Sequence, residues 1–162
     1  MERDNLQYID LTRFAVNEDK PGSYFGTAYS VQATMQFIRS DKTTCMGLAT
    51  FEQPGDDLRN VSFYVCGDGH WQVDLLFPSG AFHKQLGIGM LAQPQTIYTM
   101  RVTIRDATMS MQINDVQITT LPNPGFITTS TVALANTEFG NSTFVSQILF
   151  SDFSVQPGTP VN

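Results

Sequence analysis

The 162-residue sequence predicts an all-β protein built as two antiparallel sheets packed face to face. Three observations carry this. The first is a period of two from Ile97 to Thr119. Tyr98, Met100, Val102 and Ile104 alternate with Thr99, Arg101, Thr103 and Arg105, then Met109, Met111 and Ile113 with Ser110 and Gln112, then Val116 and Ile118 with Gln117 and Thr119. Such alternation gives a strand one buried and one solvated face, whereas a helix needs a period of 3.6. The second is where the pattern breaks, at Arg105-Asp106-Ala107 and Asn114-Asp115, because Asn and Asp tolerate the left-handed backbone of a tight hairpin turn. Together these predict a three-stranded antiparallel meander. The third is that Gly, Pro, Asn and Asp separate about ten short apolar-patterned runs, with no segment of sustained helical period.

Along the chain, Gln7-Tyr8-Ile9-Asp10-Leu11 predicts an edge or closing strand, followed by the polar loop NEDKPGS. Residues 24–38 predict a long strand, with Tyr29, Val31, Ala33, Met35 and Phe37 inward and Ser30, Gln32, Thr34 and Gln36 outward. Residues 43–51 and 60–66 form a hairpin around Gly55-Asp56. Gly67-Asp68-Gly69 turns the chain into a strand at 70–76, where Trp71, Val73 and Leu75 share a face. Residues 78–95 carry Pro and Gly interruptions and read as a loop with at most one short strand. After the meander, Leu121-Pro122-Asn123-Pro124-Gly125 reads as a loop, since each proline denies a sheet one donor. Residues 128–136 suit a strand buried on both faces, and Glu138 to Ser142 a turn. Phe144 to Val155 predicts a final strand whose phase shift at Ser151-Asp152 implies a bulge. The expected organisation is one domain over residues 1–155 and a tail or linker over 156–162.

Charged residues make up 15% of the chain, so neutral hydroxyl and amide groups cover most of the solvated strand faces. The net charge of -6 and the scattering of nine basic residues argue against a nucleic-acid partner, whose phosphates draw affinity from clustered Lys and Arg. No apolar run reaches the roughly 18 residues that span a bilayer. The start Met1-Glu2-Arg3-Asp4 lacks a basic signal-peptide region, which leaves a cytosolic protein or a mature segment behind an added initiator Met. Cys45 and Cys66 fall opposite each other when the hairpin folds. The expectation is a cross-strand disulfide, which would place the protein in an oxidising compartment; two buried thiols are the alternative.

The runs YSVQATMQF, CMGLATF, NVSFYVCGDGHWQV, IYTMRVTIRDATMSMQINDVQI and STFVSQILFSDFSV, in this order, resemble the concanavalin A-like lectin/glucanase family in its laminin-G-like and keto-disaccharide-hydrolase-like branch. The resemblance covers residues 24–155 and implies a two-sheet antiparallel jelly roll. Its motifs mark turns and core positions rather than an activity. The family's glucanases carry a Glu-x-Asp-x-Glu strand that aims two carboxylates into a cleft, as glycoside hydrolysis requires. This sequence has no such string: Asp56 and Asp57 are adjacent in a hairpin loop, and Glu138 and Asp152 are isolated. No cofactor is expected; the resemblance leaves calcium at a loop rim as an alternative, with Asp56, Asp57 and Asp68 as the candidate ligands.

His70 and His83 fit no zinc spacing and are expected on polar strand faces rather than on a metal. Gly87 to Met90 lacks the Lys and the strand-to-helix setting of a phosphate loop. Trp71 is expected in the core and Tyr64, on the opposite strand face, in solvent. Asn60-Val61-Ser62 and Asn141-Ser142-Thr143 match the N-glycosylation sequon. The residues expected to bind a ligand are Gln32, Thr34, Gln36, Tyr64 and Arg101, because amide, hydroxyl and guanidinium groups suit sugar hydroxyls. The function expected is a non-catalytic extracellular or cell-surface module for a glycan or protein ligand. The alternatives are a divergent glycoside-hydrolase-like enzyme and a sensory or structural ectodomain of a larger membrane protein.

Overall fold

The computed structural model describes residues 12–15, 28–51, 60–76, 83–105, 107–124, 131–138 and 146–157. These residues form eleven strands and no helix: β1 (Thr12–Ala15), β2 (Tyr29–Arg39), β3 (Thr44–Phe51), β4 (Asn60–Cys66), β5 (His70–Leu76), β6 (His83–Met90), β7 (Ile97–Ile104), β8 (Thr108–Ile113), β9 (Val116–Pro122), β10 (Thr131–Glu138) and β11 (Gln147–Pro157). They build a six-stranded sheet in the order β1-β10-β3-β4-β5-β6 and a five-stranded sheet in the order β11-β2-β7-β8-β9. Every pairing is antiparallel. The fold is a two-layer jelly-roll sandwich.

Alternation builds three strands of the five-stranded sheet as the sequence predicts, but not β9, where Val116, expected inward, is exposed and the register slips opposite Met111 and Gln112. In β2, β7 and β8, buried residues alternate with partly or fully exposed ones. Asn114 and Asp115 take left-handed conformations, with φ of 51° and 63°, and close the β8–β9 hairpin in the mirror-image turn that matches strand twist. Tyr29, Val31, Met35, Tyr98, Met100, Val102, Ile104, Met109 and Met111 face the other sheet. There they meet Met46, Leu48, Val61, Phe63, Val65 and Val73 in one apolar core. Full burial of an aliphatic or aromatic side chain of this size stabilises by about 1.5–3 kcal/mol, so the core is what holds the layers together.

The hairpin of β3 and β4 pairs Cys45 with Cys66, and the two form a disulfide. The bulge expected in the last strand is present between Ser151 and Ser154, with Asp152 at φ 51°. That strand runs two residues past Val155, since Gln156 and Pro157 still pair with Ser30 and Tyr29.

Several elements differ from the sequence expectation. Residues 83–90 are a full eight-residue strand, β6, where a loop with at most one short strand is expected. Gly87 and Gly89 lack side chains because the Trp71 ring lies against them: a Cβ on Gly89 would sit 2.6 Å from the indole nitrogen. Trp71 itself is only partly buried and packs against the core. Pro122 is the last residue of β9 rather than part of a loop, which an edge strand tolerates because its outer side needs no donor. In β10, Leu134 and Asn136 are half-buried while Ala135 and Thr137 are buried, so the strand is not buried on both faces. The run Gln7 to Leu11 lies outside the described residues, with β1 immediately after it.

Candidate ligand-binding face

The outer face of the five-stranded sheet carries the side chains that alternation turns away from the core. Strand register arranges them in rows. One row runs Gln156, Ser30, Thr103, Ser110, Thr120; a second runs Ser154, Gln32, Arg101, Gln112, Gln117; a third holds Ser151, Thr34 and Thr99. With strands about 4.8 Å apart, the five span about 19 Å. Within the rows the groups bond sideways. The Ser30 and Thr103 hydroxyls are 2.9 Å apart, and those of Thr34 and Thr99 3.3 Å. Arg101 Nε donates to Gln32 Oε1 at 2.9 Å, and Gln112 Nε2 to Gln117 Oε1 at 3.4 Å. Arg101 is exposed, and its guanidinium is the one charge within these three rows.

At one end the face turns apolar. Leu149 and Ile97 flank Gln36 in register, and Ile38 follows two residues on; all three are about half exposed. Beside this end, the Thr99 amide donates to Asn114 Oδ1 at 2.9 Å while Asn114 returns its own amide to the Thr99 carbonyl at 2.8 Å. The turn is thereby fixed to the strand.

Four of the five residues expected to bind a ligand, Gln32, Thr34, Gln36 and Arg101, are brought together on this face. Tyr64 is not among them. It lies on β4 in the other sheet and is 2% exposed, in a second apolar cluster with Cys45, Ala49, Cys66 and Ala135. The expectation of a solvent-facing tyrosine fails because β4 is buried on both faces at every position. Alternation tells which face a residue takes but not whether that face is covered. Ser30, Thr99, Thr103, Ser110, Gln112 and Gln117 join them in the rows, with Ser151, Ser154, Gln156 and Thr120 on the two edge strands. Their outward direction is in the sequence, but their alignment with Arg101 needs the register.

A second polar set is buried on the outer side of β4 and β5. Ser62 Oγ donates to Asn60 Oδ1 at 2.8 Å, and Gln72 Nε2 donates to both Asp74 carboxylate oxygens at 2.9 and 2.7 Å. Asn60 is 8% exposed, so the first of the two sequons is inaccessible in the folded protein.

Of the acids considered for calcium, Asp56 and Asp57 lie outside the described residues. Asp68 accepts hydrogen bonds from the amide and ring Nδ1 of His70. Burial works against its ionisation, but the His70 amide and ring outweigh this and hold the carboxyl below its usual range. The sulfurs of Cys45 and Cys66 and a ring nitrogen of His70 lie within 4.8 Å of one another. Both sulfurs are committed to the disulfide, so no thiolate is left to ligate a metal. The side chain of His83 lies outside the described residues.

No family model matches the chain, and no curated protein matches its sequence. Its fold does have solved counterparts. Sheep galectin-11, in complex with glycerol, is 11% identical with a TM-score of 0.51, over 93% of this chain and 99% of the galectin. The carbohydrate-binding module CBM66 from Bacillus subtilis is 9% identical with a TM-score of 0.57, over 81% and 76% of the two chains. Alginate lyase A1-II', of polysaccharide lyase family 7, is 9% identical with a TM-score of 0.58, over 82% of this chain and 63% of the lyase. At such identities the likeness establishes a concanavalin A-like jelly-roll sandwich, a fold that both binding modules and enzymes use.

Proposed function

We propose that this chain is a non-catalytic glycan-binding module that takes its ligand on the outer face of β2, β7 and β8. The observation that supports this best is the registered array around Arg101. A ligand rich in hydroxyls meets, across adjacent strands, acceptors and donors that are neutral, evenly spaced and already oriented by their sideways bonds. Gln32, Thr34, Gln36 and Arg101 bind the hydroxyls. Ile97 and Leu149 offer apolar contact to the ring face of a sugar. None of the row residues on these three strands is a carboxylate, which favours binding over hydrolysis, since glycoside cleavage needs two acids at set separation. The galectin and the carbohydrate-binding module make a glycan the first ligand class to test.

The disulfide supports a location outside the reducing cytosol, at the cell surface or beyond it. The laminin-G-like branch of the fold belongs to the same reading.

The test is a glycan array run at protein concentrations that detect millimolar affinity, followed by calorimetry of any hit with wild type and Arg101→Ala. The expected result is binding that Arg101→Ala weakens at least tenfold. An array without hits, or a hit indifferent to Arg101, overturns the proposal.

A further inference from the structure

Among the described residues the two sheets end in four edge strands, β1 and β6 in one and β11 and β9 in the other. An uncovered edge strand is a template for pairing with another chain, and proteins block such edges with shortness, bulges, charge, proline or a side chain over the backbone. Three of the four are blocked. β1 has four residues. β11 is bulged at Asp152 and ends on Pro157. β9 is bulged opposite Met111 and Gln112 and ends on Pro122, and the Gln117 amide covers the Thr119 carbonyl at 2.6 Å.

β6 is bulged as well, at Leu86, since Val73 pairs with Gly87 and Asp74 with Gln85, but beyond that bulge nothing blocks it. Gly87-Ile88-Gly89-Met90 has no charge and no proline, and Ile88 and Met90 are 55% and 64% exposed. The backbone there is also aimed outward. The Leu91 amide donates to the Gly69 carbonyl at 2.9 Å. Antiparallel ladders alternate, so Gly89 and Gly87 turn their N–H and C=O toward β5 while Ile88 and Met90 turn theirs to the open side.

We infer that β6 is a self-association edge, where two copies of the chain pair antiparallel through Leu86–Met90 and join their six-stranded sheets into one. The occupant is a second copy because the segment is a near palindrome about Ile88. A two-fold axis there sets Ile88 opposite Ile88, Gly87 opposite Gly89 and Leu86 opposite Met90, the self-complementary patch an isologous interface needs. In this register Lys84 falls opposite Ala92, so no like charges meet. The interface lies on the other sheet from the Arg101 face and is independent of the glycan reading.

Sedimentation velocity of the oxidised full chain across the micromolar range tests this, with Ile88→Lys as the variant and Ile38→Lys as the control. Both side chains are about half exposed, so neither change should disturb the fold, and circular dichroism verifies that. The expected result is a species of twice the chain mass whose dissociation constant rises at least tenfold in Ile88→Lys and is unchanged in Ile38→Lys. Met90→Glu should weaken it likewise. A monomer throughout the range, or a dimer that Ile38→Lys weakens and Ile88→Lys does not, overturns the inference.

Discussion

Arg101 on β7 is held by Gln32 on β2, with the guanidinium Nε donating to the amide oxygen at 2.9 Å and the rest of the fork left toward solvent. The bond fixes where the charge of the central row points, which a freely rotating arginine would not do. Gln32→Ala should therefore weaken glycan binding less than Arg101→Ala does, by a few-fold. Both variants should keep their stability within about 0.5 kcal/mol, as surface changes do. Parallel calorimetry and chemical denaturation separate the two effects.

Reduction of Cys45–Cys66 should destabilise the domain. The bond spans 21 positions, and the chain-entropy model gives a loop of that size roughly 3 kcal/mol. For a domain of this length that corresponds to a fall of roughly 6–12 °C in melting temperature, with the β spectrum at room temperature retained. Calorimetry with and without reductant measures the fall. Thiol titration of denatured, unreduced protein should find neither sulfhydryl free.

Asp41 should make stability depend on pH. Its carboxylate accepts the Thr43 hydroxyl at 2.6 Å, and the amides of Thr43 and Thr44 at 2.8 and 3.1 Å. The Thr43 hydroxyl is the main cause that holds its pKa below the ordinary value; burial opposes it and the two amides assist. A depressed folded-state pKa stabilises above the unfolded value of about 3.9 and is lost as pH falls through the folded one. Asp41→Ala should cost about 1 kcal/mol at neutral pH, the usual scale of such bonds. That difference should vanish once the pH is well below 4, as urea titrations at several pH values would reveal.

Gly47→Ala should be far more damaging than its size suggests. A Cβ there would lie 1.7 Å from the Phe63 carbonyl oxygen, and a backbone group in a paired strand has nowhere to move. The cost should reach or exceed the top of the roughly 1–3 kcal/mol range for overpacking. Denaturation midpoints measure it; a variant as stable as wild type would contradict the close approach of β3 and β4.

The sequence makes the meander legible because in β7 and β8 alternation, hairpin residues and register all agree. Gln32, Thr34 and Arg101 could be placed on one solvated face for the same reason. In β9 the hairpin is as expected, but a bulge shifts the phase and Val116, expected inward, is 61% exposed. β6 was hidden since Gly87 and Gly89 replace the apolar side chains that would have marked a strand, and the residue filling their place, Trp71, comes from the neighbouring strand. Tyr64 was misplaced because its phase is right but the coverage of its face is a tertiary fact. Pro122 reads as a loop residue and Pro157 falls in the expected tail, yet both end edge strands, where no ladder bond is lost.

The position of β2 between β7 and β11 has a consequence for synthesis on the ribosome. Residues 29–39 pair with 97–104 on one side and with 147–157 on the other. At translation rates of about 5–20 residues per second, the strand waits roughly 5–20 s after it emerges before its last partner exists. During that interval Tyr29, Val31, Met35 and Phe37 lack their finished surroundings. The nascent chain therefore completes its sandwich only once residues 147–157 have been made and have emerged, and its yield depends on holding the β2 residues apart from other chains until then.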